Sequence, residues 1–447
     1  MKHLFSIALF LAASAAIAKP TVSVDSTVQN GDGSVTINYK LSGEPAIVCF
    51  DIQTNSVSVG GRNLRRVAGD VNRIVALKHD FATPYSGTIR WFPYGTELLR
   101  KGFSLDASVT AQVSAYATNC PPDYMTVNIG LPNGYWQWPS RGYGLRFYPD
   151  VESLPGGLES PRYRETVVVM RKIPAKDVVW RRGAPNISGI KRDGDRGEFN
   201  FYMKLTRDFY LGVFPVTHNQ MMAVRSADSE HIKRSNYEKM SDYRAVAAYQ
   251  MSYNALRGQE ANAYETSTAP KASSVLGLLN KRMGMAFDLP TSLEWEFACR
   301  SGTSGQLYNS SSEVWAQADL DKIAWNQHNY TNVVNGVTVT SSHPVGLLEP
   351  NKWSLYDMMG NYFELCRDFC PNNSEMFAAL GGKGWKKEDP AVNPVLLTLP
   401  SDRANPQRCR VGGQASDSPN SCRASCRWAV PDNSGWAALR LYCPAEF

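Results

Sequence analysis

The sequence lacks long hydrophobic runs, strong charge and the short motifs of common enzymes. After the N-terminal segment no stretch reaches 18 apolar residues, so no membrane span is expected once that segment is removed. Charged residues make up only 20% of the 447 positions, with a net charge of +6, which argues against a disordered chain. No basic block interleaved with aromatics occurs, so no nucleic-acid partner is expected. G-x-S-x-G, phosphate-loop and dinucleotide sequences are absent, which excludes the classes that carry them.

Histidine is scarce, with six in the whole chain. None of them shows H-x3-H-x-E or H-E-x-x-H spacing, so a histidine-based iron or zinc centre is not predicted. Those after the N-terminal segment are His79, His218, His231, His328 and His343.

Residues 1–18 have the pattern of a secretory signal peptide. Lys2 and His3 precede the apolar run LFSIALFLAASAAIA, which ends in an A-x-A sequence before Lys19. A retained N-terminal anchor is the alternative. The pattern predicts cleavage before Lys19 and a periplasmic or extracellular protein.

The nine cysteines all follow the signal segment, and in an oxidising compartment most of them should be paired. An odd number leaves at least one free or bonded to another chain. Cys49 and Cys120 are the only two before residue 290, so their pairing is the simplest hypothesis. No C-x-x-C spacing occurs, and a structural zinc site is the alternative to disulfides for the C-x3-C pairs.

Two domains are expected from length and pattern. Residues 19–160 contain short alternating runs such as SVTINYKLSG, which predict a small all-β sandwich. A segment rich in Pro, Gly and Ser (149–163) predicts a linker, and a second domain over residues 165–447 follows. In that domain, Thr217 with Gln220 and Thr291 with Glu294 predict two helix-capping boxes. Val275, Leu278, Leu279 and Met283 share one predicted helical face that ends at Gly284.

Five phrases of the second domain occur in the order typical of one family. They are VVVMRKIPA, DFYLGVFPVTHNQM, FDLPTSLEWEFACRSGT, HPVGLLEPNKWSLYDMMGNYFELCRD and CRVGGQAS with CRASCRWAVPDNSGWAALRL. Residues 165–447 thereby resemble the sulfatase-modifying-factor or formylglycine-generating-enzyme-like family. The resemblance implies an α+β protein with a variant C-type-lectin-like fold, preceded here by the β domain, as in secreted bacterial proteins.

Glu364 lies in the apolar phrase that begins at Asn351, and a buried carboxylate requires a partner. The resemblance implies a calcium site in which Glu364 is a ligand, with the backbone carbonyls of Met359, Gly360 and Tyr362. A Glu364 held by a salt bridge or by backbone N–H groups is the alternative. The key Asn of the family's second calcium site corresponds to Trp325, which puts that site in doubt.

Catalytic members of the family convert a cysteine to formylglycine with O₂ and copper, through two thiols spaced C-x4-C after a Gly-Gly. Counting forward from Gly412-Gly413 places Asp417 at the first thiol and Cys422 at the second. Counting back from the PDN turn leaves neither thiol, so both readings lack the pair that Cu(I) requires. By resemblance, a Cys299–Cys422 disulfide is expected, and Cys422 is the only catalytic candidate.

Two functions from different classes remain open. The first is a non-catalytic module that binds an unknown protein or glycan through a groove of aromatic side chains. The second is a copper-dependent formylglycine-generating oxidase acting on exported sulfatases. The missing thiol pair favours the first. The candidate groove residues are Trp315, Trp325, Trp353, Trp385, Trp428 and Trp436.

Overall fold

A computed structural model of the chain forms two compact units. It describes residues 19–93, 104–106, 108–130, 144–184, 198, 200–225, 247, 251–258, 269–312, 316–334, 337–339, 343–397, 407–435 and 437–447. The first unit takes its residues from Met1–Val59 and Arg66–Thr118, and the second from Gly60–Arg65 and Asn119–Phe447. The predicted signal peptide, residues 1–18, lies outside the described residues.

The described part of the first unit is built from β-strands in two antiparallel sheets. One sheet has the strand order β1-β2-β7-β5. In the other, β3 pairs with β4, β6 and β8. The strands are β1 (Thr21–Gln29), β2 (Val35–Ser42), β3 (Ala46–Thr54), β4 (Val57–Ser58), β5 (Val67–Gly69), β6 (Arg73–Val75), β7 (Tyr85–Trp91) and β8 (Val109–Ala117).

Strand β2 shows why this unit forms sheets. Its apolar residues Val35, Ile37, Tyr39 and Leu41 are all at most 1% exposed, while the residues between them are half-buried. This is the period-2 pattern of a strand with one face in the core. The all-β character expected of the N-terminal domain is confirmed.

The second unit combines short helices with fifteen further strands among its described residues. The helices are α1 (Arg162–Glu165), α2 (His218–Arg225), α3 (Tyr253–Arg257), α4 (Val275–Met283), α5 (Ser292–Arg300), α6 (Gln317–Leu320) and α7 (Asn373–Leu380). The strands are β9 (Tyr124–Asn128), β10 (Leu145–Tyr148), β11 (Val167–Ile173), β12 (Val179–Arg182), β13 (Phe201–Lys204), β14 (Phe209–Gly212), β15 (Ala324–Trp325), β16 (Asn332–Val334), β17 (Val337–Val339), β18 (Met359–Gly360), β19 (Glu364–Phe369), β20 (Ala391–Val392), β21 (Gln407–Val411), β22 (Arg427–Pro431) and β23 (Tyr442–Pro444).

The largest sheet of the second unit begins upstream of the expected linker. Its order is β10-β9-β11-β14-β23, and β9 pairs antiparallel with both β10 and β11. The division between the units therefore falls after Thr118 rather than near residue 160. The segment 149–163 does not act as a free linker, because its Leu154, Leu158 and Tyr163 are buried in a hydrophobic core of the second unit.

The remaining sheets of this unit are small. Strands β12, β13 and β20 form one, and β19, β21 and β22 form another, which is antiparallel. Strands β15 and β18 make a two-residue parallel pair, and β16 and β17 form a hairpin. The pair β15–β18 and the β19-β21-β22 sheet position the candidate site.

The helix-capping predictions are confirmed. Thr291 and Glu294 form a complete capping box at the start of α5. Thr217 and Gln220 exchange the same two hydrogen bonds at α2. Helix α4 ends at Gly284 with φ of 65°, as predicted. Together with the sheets, these helices confirm the α+β class of the second unit.

A buried charge cluster holds the helix-poor second half of this unit. The Glu296 carboxylate on α5 binds Arg427 at 2.6 Å, Arg300 at 2.8 Å and Arg182 at 3.4 Å, and all four side chains are at most 4% exposed. Burial alone would raise the pKa of Glu296, but the three guanidinium groups outweigh it and hold the pKa below its usual range. The helix also packs Trp295 and Cys299 into the main core. The three arginines thus join β12, α5 and β22 through one carboxylate.

The nine cysteines form no disulfide in this structure. The expected Cys49–Cys120 and Cys299–Cys422 bridges are both absent, although Cys299 and Cys422 belong to the same hydrophobic core. The Cys409 thiol instead donates a hydrogen bond at 3.8 Å to the carbonyl of Phe369, the last residue of β19, and the Cys370 thiol is its neighbour. Cysteine spacing alone did not reveal this neighbour relation, because β19 and β21 are far apart in the chain.

No described helix has both the length and the apolar character needed to cross a membrane.

Candidate functional site

A turn at Gly360-Asn361 brings three segments together. Both residues have positive φ, 67° and 58°. A Cβ on Gly360 would lie 2.1 Å from the carbonyl oxygen of Trp325, so only glycine permits this approach. The Gly360 N–H donates to Gly412, and the Asn361 N–H donates to Trp325. Strand β15, the turn and the loop after β21 are therefore fixed to one another.

Glu364 begins β19 and is 1% exposed. Arg440 binds its two carboxylate oxygens at 2.5 and 2.8 Å, and the indole N–H of Trp295 donates to it at 2.6 Å. Arg440 also donates to the carbonyls of Gly212 and Val213, which ties β14 to this pair. These contacts favour the salt-bridge alternative for Glu364. A charge-assisted, bidentate pair of this kind is the strong form of a hydrogen bond.

Calcium at Glu364 stays a prediction, and the geometry around its carboxylate fits a cation ligand poorly. Both oxygens already face a guanidinium group, and a bound Ca²⁺ would place a second cation beside Arg440. Within the described ranges, no cluster of three or more His, Cys, Asp or Glu side chains is arranged to hold a metal. Met359, Gly360 and Tyr362 lie at the same turn, as the sequence predicted, so the backbone part of the proposed ligand set is contiguous.

Counting forward from the Gly-Gly pair, the sequence predicts the family's thiol positions in the loop from Gly412 to Cys422. Gly412 and Gly413 have φ of 88° and 75°, and a Cβ on Gly413 would meet the Cys422 sulfur at 2.9 Å. The Cys422 thiol is fully buried and donates to the Gln414 carbonyl at 3.8 Å. Burial, and then the neighbouring Asp417 carboxylate, raise the pKa of Cys422 well above its usual value. The burial and the raised pKa both favour the protonated form of the Cys422 thiol.

Asp417 stands beside Cys422 with part of its hydrogen-bonding capacity unused. The Gln414 side-chain amide donates to its Oδ1 at 3.0 Å. Its Oδ2 is buried and has no hydrogen-bond partner among the described residues. Burial raises the pKa of Asp417, while Gln414 and the Arg410 guanidinium act in the opposite direction. An unpaired buried acceptor costs free energy unless a ligand or solvent completes it.

Arg410 connects Asp417 to aromatic side chains. Its guanidinium lies 4.1 Å from the Phe363 ring centre, and its strand neighbour across β21–β22 is Trp428. Phe363 and Trp428 meet edge to face at 6.2 Å. Arg410 and Trp428 are both half-buried, so part of each faces solvent. Arginine beside tryptophan is a composition enriched at the centres of binding interfaces.

Trp325 completes the site on the side of β15. Its ring stacks on His343 at 3.8 Å between ring centres, and its indole N–H is buried without a partner in the described chain. Two residues later, the Gln327 N–H donates to the backbone carbonyl of Asp417. We define the candidate face as Trp325, Arg410, Asp417 and Trp428.

The other predicted groove tryptophans do not join this face. Trp353 packs against Phe297 and the main core, and Trp385 stacks on Phe377 while 53% exposed. Trp315 and Trp436 lie outside the described residues. Of the six predicted groove tryptophans, Trp325 and Trp428 are the two in the described chain that remain candidates for a ligand surface.

Arg410 and Arg440 are the residues that sequence reasoning missed. Each is a cation in a largely apolar phrase, CRVGG and WAALRLYC, just as Glu364 is an anion in one. Opposite charges in separate apolar segments predict a buried pair, and this signal could have found Arg440.

Comparison with known protein families gives a match within the second unit. The model of the sulfatase-modifying factor enzyme 1-like domain matches residues 193–432. This span is more than half of the chain, and the chain belongs to that family. The resemblance deduced from its motifs is confirmed, and with it the formylglycine-generating-enzyme-like, variant C-type-lectin-like fold of the second unit.

Individual relatives are distant. The protein named "Chaperone protein LppX" from Paenibacillus barcinonensis is 26% identical over 219 residues, which is 43% of this chain and 74% of the relative. The solved Treponema denticola variable protein 1 covers 62% of this chain and 95% of its own, at 17% identity and a TM-score of 0.44. PvdO from Pseudomonas aeruginosa covers 62% and 94%, at 16% identity and a TM-score of 0.43.

Proposed function

We propose that this protein is an exported, non-catalytic binding module that recognises a protein or glycan ligand. The observation that carries the proposal is the pair of residues at the family's thiol positions, where Asp417 stands beside a buried Cys422. A carboxylate in place of a thiol removes the first half of the copper site.

The chemistry of this pair disfavours the oxidase. Formylglycine formation requires two thiolates on Cu(I), and Asp417 offers a hard oxygen that binds Cu(I) poorly. The remaining thiol is fully buried, and its raised pKa keeps it protonated. Cys426 lies close enough to raise the pKa of Cys422 further, but it is itself 4% exposed. Neither sulfur is presented to a substrate peptide.

Several features of the candidate face support recognition. Trp325 and Trp428 are both half-buried, and the half-buried Arg410 is the cross-strand neighbour of Trp428. The unpaired Asp417 Oδ2 can accept a hydrogen bond, and the unpaired Trp325 N–H can donate one. A relative named as a chaperone is also a protein whose role is binding.

The test is incubation of the purified protein with Cu(I), O₂ and a peptide carrying the C-x-P-x-R sequence of sulfatases. Mass spectrometry should show no conversion of the cysteine to the aldehyde, because only one thiol is present at the site. Cys422→Ser is the matched variant. Conversion by the unaltered protein that is lost in Cys422→Ser would restore the alternative, a formylglycine-generating oxidase, in place of the binding module.

A further inference from the structure

A cavity away from the candidate face has the features of a small-molecule site. It has a volume of about 480 Å³ and lies wholly within the second unit, against the N-terminal turn of α5 and strands β19 and β23. Ligand pockets in proteins usually have volumes of roughly 300–1,000 Å³. The cavity is therefore large enough for a compact organic ligand, and its lining decides which kind.

The carboxylates that line the cavity are already engaged. Asp288 binds Arg257 through both oxygens, at 2.6 and 3.0 Å, and also accepts from the Leu289 N–H. Glu294 accepts hydrogen bonds from the backbone N–H and the hydroxyl of Thr291 in the capping box. Neither acid is left to attract a cationic ligand.

The arginines of the lining keep unused donors. Arg367 makes one long contact of 3.4 Å to Asp288, and its Nε is buried with no partner in the described chain. The Arg207 side chain is exposed and has no hydrogen-bond or ion-pair partner among the described residues. Both guanidinium groups belong to residues that line the same cavity, as does Tyr442. Two such groups form a site for an anion.

The remaining lining is mainly apolar. Leu205, Phe287, Val395, Leu397 and Pro444 contribute side chains to the walls. Burial of apolar ligand surface against them is favourable, at about 25 cal/mol per Å². An anion without an apolar body would leave these walls in contact with water.

We propose that this cavity binds a small amphipathic carboxylate, with the carboxylate on Arg207 and Arg367 and the hydrocarbon body against the apolar walls. The proposal does not depend on the candidate face or on the thiol positions. A failure to bind octanoate would therefore not count against the proposed binding function. The result of the peptide assay, in turn, does not bear on this cavity.

Isothermal titration with octanoate, 1-octanol and acetate tests the proposal on the full-length protein. Octanoate should bind at one site, more tightly than either of the others, because only octanoate offers both the anion and the apolar body. Arg207→Gln should weaken octanoate binding about 10- to 100-fold, the usual effect of losing a hydrogen bond to a charged group. Arg181→Gln, the same change at another exposed arginine outside the cavity, should leave it unaltered.

Arg207 is exposed, so its substitution should not change the melting temperature, and a thermal melt verifies that the variant is folded. Equal binding of octanoate and octanol would overturn the assignment of the arginines. Equal weakening of octanoate binding by Arg207→Gln and Arg181→Gln would show that binding depends on the net charge of the protein and not on a contact with Arg207. Absence of octanoate binding at millimolar concentration would reject the site.

Discussion

Glu364 and Arg440 come from segments 76 positions apart in the chain and meet in the core as a pair that is at most 1% exposed. Such a pair is costly to bury but far more costly to break, because the remaining charge has no counter-ion. The backbone carbonyls of Gly212, Val213 and Tyr356 that accept from Arg440 add a second reason for the arginine to stay in place.

Glu364→Gln should therefore lower the free energy of unfolding by about 3–5 kcal/mol, because Arg440 is left as a buried, uncompensated cation. Urea denaturation measures the loss. Glu388→Gln, the same change at an exposed site, should alter the free energy of unfolding by less than about 0.5 kcal/mol.

Urea denaturation of the unaltered protein and of Glu364→Gln, in EDTA and in calcium chloride, separates the ion-pair hypothesis for Glu364 from the calcium hypothesis. If the ion pair is the reason for the loss, the effect of Glu364→Gln is equal in both buffers. A ligand that binds only the folded state stabilises it by mass action. A loss seen only with calcium present would accordingly identify Glu364 as a metal ligand.

At the scale of elements, helix α2 contains a titratable group at its first position. His218 lies at the N-terminal end, where the helix carries positive partial charge. Burial lowers the pKa of His218 from 6.5 to about 4. Between these values the unfolded chain binds a proton that the folded protein does not. The stabilising contribution is therefore complete above pH 6.5 and is lost as the pH falls towards 4.

The free energy of unfolding should fall less between pH 6.5 and pH 4 in His218→Gln than in the unaltered protein. The difference should be at most about 3 kcal/mol. Urea titrations at several pH values give this slope. His328→Gln, at an exposed histidine of the same unit, is the matched control and should keep the slope of the unaltered protein. An unchanged slope in His218→Gln would mean that His218 is not the group that titrates.

The helices also show where local sequence is sufficient. A capping box uses two side chains three residues apart, and its hydrogen bonds form within one turn. Thr291 with Glu294 and Thr217 with Gln220 could therefore be identified before the fold was known. The strand neighbours Arg410 and Trp428, and the thiols of Cys370 and Cys409, could not, because strand pairing over these distances leaves no local pattern.

For the whole molecule, the proposed export sets the chemical environment of every thiol. If residues 1–18 are a signal peptide, material recovered from the periplasm or medium should have an intact mass that begins at Lys19. Expression with the native N-terminus followed by mass spectrometry of each fraction gives the answer. Ala18→Leu, which spoils the A-x-A site, should slow cleavage. Mature protein that still begins at Met1 would contradict the export proposal.

The sequence by itself determined the family, the alternating strands of the first unit and the helix caps of the second, because each depends on residue order over a few positions or on a phrase of fixed spacing. It also indicated that the thiol pair is broken at Asp417 and Cys422. Tertiary structure alone decided which group satisfies Glu364, where the second unit begins and which side chains pack against each tryptophan. These depend on contacts between distant segments, where burial and charge pairing select one partner from several that the sequence allows.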